Sequence, residues 1–149
     1  MEDIKVGVKA PLFKLMDAQG VEHSIEDYKK VILYFYPKDS TPGCTAEACS
    51  LRDGYSDIKH LGFEIIGISG DNAASHSRFI EKQNLPFILL SDEDKSVCAA
   101  YGAYGEKKFM GKTYMGIIRK TFVIEDGIIT HIFDKVNTKT HNEQILEIL

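Results

Sequence analysis

Four stretches of the chain are dominated by β-branched and aromatic residues: "VILYFY" (31–36), "FEIIGIS" (63–69), "FILL" (87–90) and "TFVIE" (121–125). Short apolar runs of this composition predict buried strands. Between the first three lie "TAEACSLRDGYSDIKHL" and "NAASHSRFIEKQN", both helical in composition. Strand, helix, strand, helix, strand implies right-handed crossovers and a parallel core to the sheet. The pattern then changes, because Asp126-Gly127 separates "TFVIE" from "IITHIF" and signals an antiparallel hairpin. Near the start, "FKLMDAQGVEHSI" predicts a small hairpin around Gln19-Gly20. At the end, "THNEQILEIL" predicts an amphipathic helix capped by Thr140 or Asn142, with Ile145, Leu146, Ile148 and Leu149 available for its apolar face.

No internal repeat or low-complexity linker interrupts this order, and 149 residues suit one domain spanning 1–149. The expected class is α/β: a central mixed β-sheet flanked by helices, with an N-terminal β-hairpin, the order of elements found in thioredoxin-like folds. Such folds bind ligands where the first βαβ strand turns into its helix. In this chain that junction is "YFYPKDSTPGCTAEACS" (34–50).

Charge and cysteine content narrow the function classes. The 18 Lys and Arg are dispersed among 22 Asp and Glu, so the clustered basic footprint of a nucleic-acid binder is missing. The lysine pair in "YGEKKFMGK" reads as a solvated loop. No apolar run approaches the ~20 residues that cross a bilayer, and "MEDIKVGVKAPLF" lacks a signal-peptide pattern, so a soluble, cytoplasmic protein is expected. Three cysteines leave at least one thiol unpaired, which fits a reducing compartment better than a disulfide scaffold.

The junction supplies the chemistry. Thr41 suits a helix N-cap and Pro42 the first helical position, which puts Cys44 in the first turn. Backbone N–H groups there lack intrahelical partners and the helix end is partly positive, so a thiolate is stabilised. Gly43 lets another atom approach the backbone. Lowering a thiol pKa from ~8.5 to ~6 raises the thiolate fraction roughly 30-fold at pH 7, but the accompanying loss of nucleophilicity returns about tenfold of that. A fast enzyme therefore also needs donors aimed at the substrate: the Gly43 and Cys44 N–H groups, the Thr41 hydroxyl and a fixed cation. The plain alternative is that Cys44 is a small buried hydrophobe at a strand end.

Cys49 follows five residues later. On one continuous helix that spacing gives a Cα separation of about 8.7 Å with divergent side chains. A disulfide needs roughly 4.4–6.8 Å. The pair cannot bond while the helix is intact, so any disulfide between them requires at least a turn to unwind. Such spacing suits a first thiol that is oxidised to a sulfenic acid and then condenses with a second.

The segment "YPKDSTPGCTAEAC" resembles the active-site signature of the peroxiredoxins, specifically the bacterioferritin comigratory protein or peroxiredoxin Q branch. The likeness extends through "VGVKAPLFKLMDAQG", "SHSRFIEKQNLPFILLSD" and "YGEKKFMGKTYMGIIRKTFVIEDG". The resemblance implies that Cys44 is the peroxidatic nucleophile and Cys49 the resolving thiol, that Thr41 hydrogen-bonds thiolate and peroxide, and that Pro37 shields the pocket. It further implies that Arg119, on a strand near the pocket, supplies the fixed charge, and that Glu47 orders the polar network. Glu47 would also suit the helix dipole from the first turn, and a surface cation on an edge strand is the ordinary alternative for Arg119. The implied activity is reduction of hydrogen peroxide and organic hydroperoxides, with thioredoxin or a similar dithiol protein as reductant, no cofactor, no metal and a monomeric state. The chain lacks the Gly-Gly-Leu-Gly stretch and the C-terminal Tyr-Phe extension associated with easily over-oxidised peroxiredoxins.

Two other functions compete. A thioredoxin-like disulfide exchanger lacks its Cys-x-x-Cys here, and a thiol metal site would have only three cysteines and no histidines paired at ligand spacing. Cys98, in "SVCAAYG", reads as packed in a short helix among apolar neighbours.

Overall fold

A computed structural model describes residues 4–149. In chain order it contains β1 (Lys14–Asp17), β2 (Glu22–Ser24), a single 3-10 turn (Ile25–Asp27), β3 (Lys30–Phe35), α1 (Pro42–His60), β4 (Glu64–Ser69), α2 (Ala73–Gln83) and β5 (Ile88–Ser91). It continues with α3 (Ser96–Ala100), β6 (Tyr104–Phe109), β7 (Lys112–Ile117), β8 (Lys120–Glu125), β9 (Ile128–Phe133) and α4 (His141–Ile148). Seven strands form one mixed sheet in the order β2-β1-β5-β4-β3-β8-β9. The three central strands β5, β4 and β3 run parallel, as the two helical crossovers require, and the flanking pairs are antiparallel.

Both expected hairpins form. The β8–β9 turn carries positive φ at Asp126 (51°) and Gly127 (80°), the backbone a two-residue hairpin with right-handed twist demands. The β1–β2 turn places Gly20 at φ 79°.

Strand β3 shows why the sheet is central. Val31, Leu33 and Phe35 join one core layer, which contains Phe122, Tyr101 and Cys98. Ile32, Tyr34 and Tyr36 join the opposite layer, with Leu51 and Ile58 of α1, Phe79 of α2 and Ile145 of α4. Alternation with both faces buried is why the strand reads as an unbroken apolar run. Each such side chain removed from water contributes about 1.5–3 kcal/mol.

Three expectations need correction. The "YGEKKFMGK" segment is not a loop: β6 and β7 form a separate two-stranded antiparallel sheet. Most of its side chains are exposed, so no apolar alternation marks it, and its turn at Met110-Gly111 (φ 52° and 78°) lacks the usual Asn or Asp. In α4, Ile148 faces solvent at 41% exposure while Ile145 is fully buried. Thr140 occupies the N-cap position of α4 without a side-chain cap bond, and Asn142 lies inside the helix, its backbone N–H donating to Ser50 Oγ at 3.0 Å.

Candidate active site

The site forms where β3 ends and α1 begins. Pro37 follows the strand half-buried, and the loop turns at Ser40 with φ 63° before Pro42 starts the helix. Thr41 sits at the N-cap position with extended backbone, as expected. Its hydroxyl, however, donates to Lys38 O at 2.9 Å instead of serving as a side-chain cap. Thr45 N–H is bonded to Thr41 O at 2.8 Å, so Cys44 lies within the first turn, where backbone N–H groups have no intrahelical acceptor.

Cys44 is buried at 2% exposure, and Arg119 Nη2 donates to its Sγ at 3.3 Å. The other arm of the same guanidinium, Nη1, donates to Glu47 Oε1 at 2.6 Å. Cys44 and Glu47 are three positions apart on α1, hence on one helix face, and the planar fork spans both. A Cβ built on Gly43 would lie 3.3 Å from Arg119 Nη2, so the glycine gives the guanidinium its room. Arg119 itself is not on a strand; it stands in the link between β7 and β8, where the chain leaves one sheet for the other. Nor is its neighbour β8 an edge strand, since it pairs with both β3 and β9.

Glu47 is the sixth residue of α1, beyond the first turn, so the helix dipole does not account for it. Its side chain is fully buried. Burial pushes its carboxyl up to about 7, against the opposing pull of Arg119. Among the described residues Glu47 Oε2 has no hydrogen-bond partner, and it faces His141 Nε2 at 3.9 Å. Gln144 donates its amide to Lys135 O, so its oxygen accepts from His141 Nδ1 at 2.8 Å. With that nitrogen protonated, Nε2 of a neutral ring accepts from Thr121 Oγ1 at 2.7 Å. Burial lowers His141 to about 4, which keeps the ring neutral.

Sequence reasoning missed His141, Tyr34 and Lys107. Tyr34 hydroxyl is buried without a hydrogen-bond partner among the described residues, and burial, followed by the charges of Glu47 and Cys44, raises its pKa well above the ordinary value. Lys107 donates to Ile117 O at 2.9 Å and is lowered by burial and by Arg119, with Cys44 opposing. Its lysine neighbour Lys108 is exposed, so only half of the pair is a solvated surface. The signal for Lys107 was the period-2 position inside β6, legible only once the hairpin is known.

Cys49 is half-buried on the unbroken helix, its thiol donating to Gln83 Oε1 at 3.4 Å. All three cysteines are free thiols. Cys98 is buried in the layer on the other side of the sheet from Cys44, and burial and Asp92 push its thiol far up. Asp39, Asp71 and His76 bring candidate metal-binding atoms within 4.8 Å of one another. Both Asp39 oxygens, Asp71 Oδ2 and both His76 nitrogens are already engaged in hydrogen bonds within the protein.

A cysteine sulfur in the first turn of a helix, hydrogen-bonded by a half-buried arginine that also pairs with a buried acid, gathers fixed donors around any charge that develops beside it. Known proteins resemble the chain over nearly its whole length. Residues 6–132 match the AhpC/TSA family model. The chain is 48% identical to Peroxiredoxin Bcp of Escherichia coli K12, covering 98% of this chain and 96% of that protein. It is 47% identical to a putative Bcp peroxiredoxin of Haemophilus influenzae, covering 100% and 98%. Among solved structures it resembles the bacterioferritin comigratory protein of Xanthomonas campestris, studied for alkyl peroxide reduction, with a TM-score of 0.85 and 32% identity over 91% of this chain and 88% of that one. A cysteine-to-serine variant of Xylella fastidiosa PrxQ superposes with a TM-score of 0.91 at 28% identity, over 99% and 96% of the two chains. On sequence, fold and site chemistry together, the chain belongs to the AhpC/TSA family, as a peroxiredoxin of the Bcp and PrxQ group and hence a thiol-dependent peroxidase.

Proposed function

We propose that the chain acts as one domain in which Cys44 is the peroxidatic thiolate and Cys49 the resolving thiol, with hydrogen peroxide and organic hydroperoxides as substrates. The Cys44 sulfur attacks the terminal peroxide oxygen. The S–O bond forms, the O–O bond breaks, and the departing alkoxide or hydroxide takes a proton to leave as alcohol or water. Cys49 thiol then displaces water from the sulfenic acid to give the Cys44–Cys49 disulfide, which a thioredoxin or similar dithiol reduces.

The observation that carries this reading is the Arg119 guanidinium bridging Cys44 Sγ (3.3 Å) and Glu47 Oε1 (2.6 Å). In that position it stabilises the thiolate and the charge developing along the O–O bond. Gly43 gives the guanidinium clearance, and Glu47 holds it in plane. Thr41, its proton given to Lys38 O, offers lone pairs to a peroxide O–H. Pro37 bounds the pocket at the strand end.

Among the described residues no helix is long and apolar enough to cross a membrane. We also propose a cytoplasmic location and a monomer. The test is peroxide consumption coupled to a thioredoxin system: activity is expected for the intact protein and none for Cys44→Ser. A Cys44→Ser protein with full turnover would overturn the assignment, as would a peroxide-induced disulfide that maps through Cys98.

A further inference from the structure

The Cys44–Cys49 disulfide proposed above, on which this inference rests, requires α1 to unwind, but α1 runs to His60 and carries Leu51 and Ile58 fully buried in the core. Melting the whole helix would expose that core. Something must therefore set where melting stops, and two polar anchors outside α1 bracket its first turns.

At the far end, Ser50 Oγ donates to Asn142 Oδ1 at 2.7 Å and accepts from Asn142 N–H at 3.0 Å. Two residues on, Arg52 Nη1 donates to Gln83 O at 2.7 Å. Gly54 lets α4 close in: a Cβ there would lie 2.6 Å from Asn142 Cβ. Cys49 is the last residue before this pinned region.

At the near end, Asp39 is held from every side. Its N–H donates to Asp71 Oδ2 at 2.8 Å, and its carboxylate accepts from Tyr36 hydroxyl at 2.5 Å and Ser75 hydroxyl at 2.8 Å. His76 places Nε2 3.1 Å from Leu90 O and Nδ1 2.7 Å from Asp39 Oδ2, so both ring nitrogens are tied to the protein. Both residues are buried, and truncating a network of that kind costs more than its bonds individually. Ser40, with its positive φ, follows immediately. The side-chain bonds between the anchors, from Thr41, Cys44, Glu47 and Cys49, are those an unwinding segment gives up.

We infer that the moving segment is delimited at Asp39 and Ser50, and that Asn142 of the C-terminal helix is a positioning residue that halts the unwinding of α1 at Ser50. In a helix each N–H bonds to the carbonyl four residues back. Melting through Cys49 therefore frees N–H groups up to Asp53, while those from Gly54 onward keep acceptors that begin at Ser50.

Hydrogen exchange on the reduced and the peroxide-oxidised full chain, with the disulfide mapped by mass spectrometry in the same sample, tests this. In the oxidised protein, amides 45–53 are expected to lose protection, and amides 54–60 and Asp39 to keep it. Asn142→Ala is expected to lower protection of 54–60 by about tenfold or more in the oxidised protein, with a clearly smaller change in the reduced one. Asn142→Asp, which retains the acceptor for Ser50, is expected to restore the boundary. Should Asn142→Ala not fold, Ser50→Ala removes the same bond from the other helix. A mapped Cys44–Cys49 disulfide with protection lost through residue 60 or at Asp39, or an Asn142→Ala boundary unchanged at Asp53, overturns the inference alone. Absence of that disulfide overturns the resolving role of Cys49 and the inference with it.

Discussion

Glu47 Oε2 and His141 Nε2 lie 3.9 Å apart in the interior, and burial displaces the two groups in opposite directions, the acid up to about 7 and the base down to about 4. Each is kept neutral over part of the same pH range, and each makes its own demand on stability.

Between pH 4.5 and about 7 the folded protein holds a Glu47 proton that the unfolded chain has released, so raising the pH through that window destabilises the fold by about 3 kcal/mol. Between about pH 4 and 6.5 the unfolded chain holds a His141 proton that the folded protein lacks, so lowering the pH costs about the same. The two slopes oppose each other and largely cancel. Urea unfolding from pH 4 to 8 should therefore show Glu47→Gln losing stability relative to wild type as the pH falls from 7 to 4.5. His141→Gln should lose it relative to wild type as the pH rises from 4 to 6.5. Parallel profiles for all three proteins would remove the argument.

Replacing Arg119 with Met leaves Cys44 Sγ without its cation and Glu47 with no hydrogen-bond donor among the described residues. Stopped-flow peroxide reduction should slow by about a hundredfold or more, the usual cost of one donor aimed at developing charge. Arg119→Lys should recover little, because an ammonium cannot span both acceptors in one plane.

At Gly43, alanine would place its Cβ 3.3 Å from Arg119 Nη2. The guanidinium has to give by a few tenths of an ångström, and kcat/KM is expected to fall about tenfold. Thermal stability should change little. Full activity in Gly43→Ala would mean that the guanidinium position is not critical.

For Thr41, the bond to Lys38 O fixes which way the hydroxyl faces. Thr41→Ser keeps that bond and should stay within a few-fold of wild type, whereas Thr41→Val loses the oxygen and should drop by about 10- to 100-fold in kcat/KM. Equal rates for the two would exclude a polar role.

What could be read from the chain depended on where the controlling interactions lie. The four strands predicted from apolar runs lie inside the large sheet, buried on both faces, and local composition is enough to mark them. The helix start around Cys44 was legible for a related reason: Thr41, Pro42, Gly43 and Cys44 are neighbours in sequence and their positions follow from spacing, whereas Glu47 lies beyond the first turn expected for it. Arg119 was legible by resemblance, but its place between two sheets was not, because β6 and β7 carry no apolar alternation. His141 and Tyr34 reach Glu47 only through the packing of α4 and β3 against α1, and no local pattern encodes such a meeting. Asp39 and His76 lie 37 positions apart, so no local spacing marks the hydrogen-bonded knot in which they meet.

The alternation of β3 carries one more implication. Because the sheet has a core layer on each side, Cys98 and the Cys44–Cys49 helix sit on opposite sides of seven strands of hydrogen-bonded backbone. The unwinding proposed for α1 would take place on its own side of the sheet, away from the third sulfur. The sheet thus works as insulation: in the folded chain Cys44 and Cys98 are buried in different core layers, with hydrogen-bonded backbone between them.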